Sequence, residues 1–340
     1  MPVGFYARVI AAAVYAAAAA PAAFAATYEQ RSSLLIFPRV VADEQHDTGI
    51  QLVNSSFLTA YASCFYVGTT GGPETLTRID LDLRLAAQQT THWSAARGRP
   101  VDPTDPACTS NIRGCDNAGF DPGAIPPLPA NFEGQLVCVQ VDASGVPWSG
   151  NALLGVARIF DTQSAEAEPF AAIGLRGFDT NDGNADLCLG GEPRALCPKG
   201  AEYDACLSRA FTTHPTDAPN GEAPGTATSM TLVPCDLDLD RFELPSLTMT
   251  FRITNELEQT LSASTTVRAY SSLPLGEISV VFNRDVIGGD LAKTTLNSVN
   301  DAGFVGISEI AQTTGDGAAT AVRLHGDPTQ PASSVMRLPD

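Results

Sequence analysis

LLIFPRVVADEQHDTGIQLVNSSFLTAYASCFYV, residues 34–67, decides the fold. Three extended runs follow one another: Leu34 to Phe37, Gly49 to Asn54, and Tyr61 to Val67. They are separated by Pro38, by the polar stretch Asp43 to Gly49, and by Asn54, Ser55 and Ser56. Apolar runs of this length, bounded by turn-forming residues, read as β-strands, and their close succession suits a meander. The stretch therefore predicts the start of a β-sandwich.

Working outward, the pattern repeats. In RIDLDLRLA, Ile79, Leu81, Leu83 and Leu85 alternate with Asp80, Asp82 and Arg84, which predicts a strand with one wet face. GQLVCVQVDASGVPWSGNALLGVARIF, residues 134–160, reads as two strands around a turn and is expected to complete the first sandwich as a hairpin. Between them, Gln88 to Phe132 is rich in Pro and holds Cys108 and Cys115, so it is expected as an ordered excursion and a candidate working surface. Residues 163–229 shift toward Gly, Pro, Asp and Thr and read as a disulfide-stapled connection. Strands return in residues 230–340, with candidates that include Glu277 to Phe282 and Ser334 to Leu338. Near its start, Phe251 and Ile253 precede Asn255 as Ile50 and Leu52 precede Asn54, a weak internal repeat about 200 residues apart. The expected fold is all-β: an antiparallel immunoglobulin-like or jelly-roll-like sandwich in two parts, residues 26–162 and 230–340.

Residues 1–25 read as an export signal. Arg8 precedes an Ala-rich apolar run, and Ala23, Phe24 and Ala25 form a small-residue cleavage site. No later stretch reaches the ~18 apolar residues of a membrane helix, so a secreted or periplasmic protein is expected. Its eight Cys then read as disulfides. Local plausibility pairs Cys108 with Cys115, Cys188 with Cys197 and Cys206 with Cys235, which leaves Cys64 with Cys138. Alternation supports the last pair. Phe65 and Val67 lie on the strand face opposite Cys64, and Val137, Val139 and Val141 lie opposite Cys138. The formal charge of -18 argues against nucleic acid and anionic membranes as partners.

No catalytic motif emerges. His46, His92, His214 and His325 lack metal-ligand spacing, and there is no GxSxG elbow around any Ser. Two binding features stand out. Asp179, Asn181, Asp182, Asn184 and Asp186 offer hard oxygens around Gly183 for a Ca2+ ion, although the run departs from the EF-hand pattern and also reads as an Asp-Gly turn. Trp93 and Trp148 are candidates to stack on a sugar or anchor a protein. A further acidic run places Asp236, Asp238 and Asp240 on one strand face.

LIFPRVVADEQHDTGIQLVNSS followed by CFYV, with QLVCVQVD, TLVPC and FRITNELEQTLSASTTV, resembles a group of uncharacterised exported bacterial proteins. The PRVV to LVN stretch is also similar to the first strands of immunoglobulin-like pilus chaperones. The resemblance implies a sandwich and carries no activity. The leading expectation is a non-catalytic structural or adhesive protein. A Ca2+-assisted carbohydrate-binding module and a hydrolase with carboxylates assembled by the fold are the alternatives.

Overall fold

The computed structural model describes residues 30–339 apart from 71–75, 100–122, 164–166, 217–225, 242, 244, 313–318 and 328. The export-signal reading and the Cys108–Cys115 pairing lie outside these residues, as does much of the 88–132 excursion. The fold is all-β and antiparallel in nearly every pairing, as the alternation predicts.

The first part holds β1 (Leu34–Ala42), β2 (His46–Asn54), β3 (Ala60–Thr70), β4 (Leu76–Leu85), β5 (Thr90–Ser94), β6 (Phe132–Val141), β7 (Leu153–Asp161), β8 (Ala167–Ala171) and β9 (Ile173–Leu175). Hydrogen bonding runs β4-β3-β6-β1-β2-β7-β8, with β5 on β2 and β9 on β1. The β1–β2 link is the single pair Ala42↔Asp47. At that corner the ladder divides into two layers, and Leu35, Phe37, Cys64 and Leu136 of one pack with Ile50, Leu52, Trp93 and Ala157 of the other.

Local chemistry departs from the expected meander in three places. Pro38 does not end β1. The strand runs through it, with a register shift against β6 between Phe37 and Val40, because a bulge accommodates a residue that cannot donate to the ladder. The turn after Asn54 carries the chain into the other layer, where β3 pairs with β4 and β6. The expected β6–β7 hairpin is also absent, since β7 pairs with β2 and β8.

The strands β1, β3 and β6 are buried on both faces, which is why they read as near-continuous apolar runs. Their second face carries Leu34, Ile36, Phe65, Val67, Val137 and Val139 into a middle core. From the later chain that core receives Leu187, Tyr203, Val233, Cys235, Val305 and Met336. Cys64 and Cys138 are direct cross-strand partners joined by a disulfide on the first-core face, so both faces of this pairing are dry.

The later chain comprises β10 (Asp186–Leu189), β11 (Arg209–Pro215), β12 (Thr226–Pro234), β13 (Leu237–Asp238), β14 (Ser246–Asn255), β15 (Thr260–Arg268), β16 (Ser271–Pro274), β17 (Leu291–Ser298), β18 (Phe304–Gln312), β19 (Ala319–Arg323), β20 (His325–Gly326) and β21 (Ser334–Arg337). They form a five-stranded sheet, β15-β14-β17-β11-β20, and a four-stranded sheet, β16-β12-β18-β19. Met249, Phe251, Leu296, Met230 and Phe304 pack between these two sheets. A small sheet, β10-β21-β13, caps the middle core. Cys188–Cys197 and Cys206–Cys235 staple the segment between the two parts, in the pairings expected from sequence.

Glu277 to Phe282 is not a strand. Leu275–Ile278 and Val280–Phe282 form short helical turns that place Leu275 and Phe282 in the last core. Apolar residues at 275, 278 and 282 carry helical spacing, but the run is too short to show a full period.

Candidate functional site

Two neighbouring loops hold the sequence-predicted binding residues that reach the surface. After β6, the Asp142 carboxylate closes a tight turn by accepting from Ser144 N (2.8 Å), Ser144 Oγ (2.6 Å) and Val146 N (3.0 Å). The Ser144 hydroxyl, followed by these backbone groups, holds the Asp142 carboxyl below its ordinary pKa. Trp148 follows at once, its backbone N–H donating to Gln140 O at 2.9 Å. Its side chain is 45% exposed. The six-membered ring lies against Gly150, where a Cβ would come within 2.9 Å of Cζ3 and also strike the Gln140 amide. Only glycine leaves room for the ring there. Trp148 is thus an aromatic surface with one side supported and the other open to solvent.

The acidic loop abuts this turn. Gly183 has φ +74, and a Cβ there would lie 2.7 Å from Val146 Cγ1. The loop is tied by its own side chains. Asn181 Oδ1 accepts from Gly183 N, Asp182 Oδ1 from Asn184 N, and Asn184 Oδ1 from Asp186 N. Asn181 Nδ2 donates to Tyr203 Oη at 2.8 Å. The Asp186 carboxylate receives Arg337 through Nε (2.6 Å) and Nη2 (3.2 Å). A cation gathering Asn181, Asp182, Asn184 and Asp186 would have to take oxygens from backbone amides and displace a bidentate guanidinium. Asp179 lies at the loop's start. Among the described residues, no three His, Cys, Asp or Glu side chains are grouped to hold a metal. In the second acidic run, Asp236 accepts from Val335 N and Asp238 from Arg241 N.

Trp93 has the opposite environment. It is 4% exposed and sits in the first core, donating through Nε1 to Tyr66 Oη at 2.6 Å. Burial pushes the Tyr66 phenol above its ordinary range. A ring this enclosed offers a ligand little surface, in contrast to the sequence expectation. Trp93 also borders, with Thr90, Thr91, His92, Ser94, Gly98 and Arg99, a polar cleft of about 450 Å³. The Arg99 guanidinium spans this cleft, donating to the Thr91 hydroxyl and to Gly123 O.

Sequence reasoning missed a cluster at the seam between the two parts. Arg39 of β1 reaches Glu309 of β18 at 2.6 Å, and Glu168 of β8 shares the same surroundings. Both carboxylates are buried. Burial, reinforced by the charge of Glu309 and opposed by Arg39, raises the Glu168 carboxyl to about 7. Burial works against the Arg39 charge, but Glu309 leads the neighbours that hold its pKa above the ordinary value. Tyr270 Oη donates to Glu133 Oε1 nearby at 3.0 Å. These groups come from five distant segments, so no local motif announces them.

No family model matches the chain, and no curated protein matches it.

Proposed function

We propose that the protein is an exported, non-catalytic adhesive protein of the bacterial envelope or extracellular space that holds a saccharide through Trp148. The supported, half-open indole beside a polar loop carries this reading. Sugars offer C–H faces that stack on an aromatic ring and hydroxyls that bond to neighbouring amides and carboxylates. Because the ring is already positioned by Gly150 and by the Asp142 turn, binding orders little of the protein. The three disulfides among the described residues fit an oxidising compartment, and no helix among those residues is long and apolar enough to cross a membrane. Export itself rests on the N-terminal signal reading.

Trp93 serves as an internal reference for the test. Acrylamide is expected to quench Trp148 and spare Trp93, and a bound glycan should protect Trp148 alone. On a glycan array, Trp148→Ala should lose the signal that Trp148→Phe retains. Equal binding by Trp148→Ala and the unmodified protein would overturn the assignment. A melting temperature that rises with Ca2+ and falls with EDTA would favour the cation-assisted version over the metal-free one.

A further inference from the structure

We propose that the outer face of the five-stranded sheet is a second binding surface, and that its ligand is an anionic polysaccharide. The observation is a local reversal of charge. Carboxylates outnumber cationic side chains 38 to 20 across the chain. Yet the solvent-facing positions of β11, β14, β15 and β17 include Arg209, Arg252, Arg268 and Lys293 and not one Asp or Glu. Apart from Leu291, Phe211 and Pro215, the remaining outward positions are Ser, Thr or Asn.

Several cations elsewhere are matched: Arg39 with Glu309, Arg337 with Asp186 and Asp238, and Arg284 with Asp290. Arg252, Arg268 and Lys293 make no ion pair among the described residues, and Arg209 meets Asp327 only at 3.6 Å. Lys293 instead rests 5.7 Å from the centre of the Phe211 ring. An exposed guanidinium left without a carboxylate presents its paired N–H donors to one from outside.

The register gives the ligand's shape. Arg252 stands directly between Ser262 and Thr295, and Lys293 is its diagonal neighbour beside Thr254, about 7–8 Å away by sheet geometry. Arg209 lies one strand beyond Asn297, and Arg268 at the far end of β15 opposite Ser246. Charges spread over four strands do not converge on one small anion. They suit a polymer with a charge on successive units, and the hydroxyl rows between them supply donors and acceptors for sugar hydroxyls. Nucleic acid fits less well, because Phe211 is already covered by Lys293 and the exposed His325 opposite it on β20 offers a single small ring, too little for a run of stacked bases.

The test is retention of the exported chain at about 0.1 M salt, where screening beyond roughly 10 Å mutes the distant carboxylates. Polygalacturonate, a neutral β-glucan and duplex DNA serve as immobilised probes. Polygalacturonate should retain the protein and the neutral glucan should not. Arg252→Glu with Lys293→Glu should weaken retention by about tenfold or more with the melting temperature unchanged. Arg252→Gln with Arg268→Gln is the second variant should charge reversal impair folding, and it too should weaken retention. Trp148→Ala should bind polygalacturonate normally, which separates this surface from the saccharide site above. The proposal is overturned if polygalacturonate does not retain the protein, if the folded variants bind as well as the parent, or if DNA is held as tightly.

Discussion

The corners at Asn54 and Asn255 use the same local chemistry and lead to different structures. Asn54 Nδ2 donates to Leu85 O and Ala86 O, and its Oδ1 accepts from Ser56 N. Asn255 Nδ2 donates to Ile287 O and Gly288 O, and its Oδ1 accepts from Leu257 N. In each case the buried amide ties the end of its own strand to the loop that leads into an antiparallel partner, β5 for β2 and β17 for β14. Beyond the cap the two diverge. The chain after Asn54 crosses to the other layer, whereas the chain after Asn255 folds back as the β14–β15 hairpin. Burial patterns account for the divergence. AYASCFYV is apolar on both faces and needs the middle of a sandwich, while TLSASTTVR alternates hydroxyls outward and is content at a sheet edge. The asparagine fixes a corner, and the strand that follows decides where the chain goes.

The two corners differ most sharply at the disulfide, because the strand after Asn54 is covalently held to β6 and the strand after Asn255 has no such bond. Replacing Cys64 and Cys138 together by Ala reopens a closure of 74 residues. The chain-entropy model puts the loss at about 4–5 kcal/mol, measured by denaturant unfolding of the pure protein. A change below about 1 kcal/mol would mean that packing on both faces already fixes β3 and that the bond is secondary.

Next in size are the caps themselves. Asn54→Ala leaves the buried carbonyl of Leu85 and the part-buried carbonyl of Ala86 without the donor of a fully buried amide, an expected loss of about 2–4 kcal/mol. Asn255→Ala breaks the matching pair of bonds and should cost about 1–3 kcal/mol, since Asn255 itself is 5% exposed where Asn54 is fully buried. Asn→Asp at either position should be at least as damaging, because it points a carboxylate oxygen at two carbonyls. If Asn255→Ala is neutral while Asn54→Ala is not, the two corners share a pattern and not a function.

Much of the first corner is legible in the amino-acid sequence alone. The Cys64–Cys138 pairing is what remains once the other Cys are paired locally, and period-two alternation, which puts Val137 and Val139 opposite the Cys face, agrees with it. The same rule applied to TTHWS places Trp93 inward with Thr91, and both are buried. Trp148 follows a Ser-Gly turn, where exposure is the ordinary result. What could not be read is pairing. Nothing local in β3 names β6 as its neighbour, and Pro38 marks a bulge as readily as a strand end. The acid–base cluster is still less legible, since Arg39, Glu168 and Glu309 meet only because strands of three layers do. The cationic face was within reach, because alternate residues of SLTMTFRIT and TLSASTTVR read Ser, Thr, Thr, Arg, Thr and Thr, Ser, Ser, Thr, Arg.

The smallest effect concerns the seam where the two regions meet, and it should appear only as a pH dependence. Glu168 titrates near 7 in the folded protein and near 4.3 in an unfolded chain. Between those values the folded state binds the extra proton, so stability falls as pH rises from about 4.5 to about 7 and stays low above that. Glu168→Gln removes the ionisation while keeping the shape. At pH 8 the variant should therefore be more stable than the parent, by on the order of 1–3 kcal/mol, and at pH 4.5 the two should nearly coincide. Thermal melts of both proteins across this window measure the difference directly. Arg39→Met should act in the opposite sense, because it leaves Glu309 and Glu168 facing each other without the shared cation. A pH-independent gap between Glu168→Gln and the parent would show that the seam is held by packing alone. It would also mean that the burial of two carboxylates beside one guanidinium costs the fold nothing that a proton could relieve.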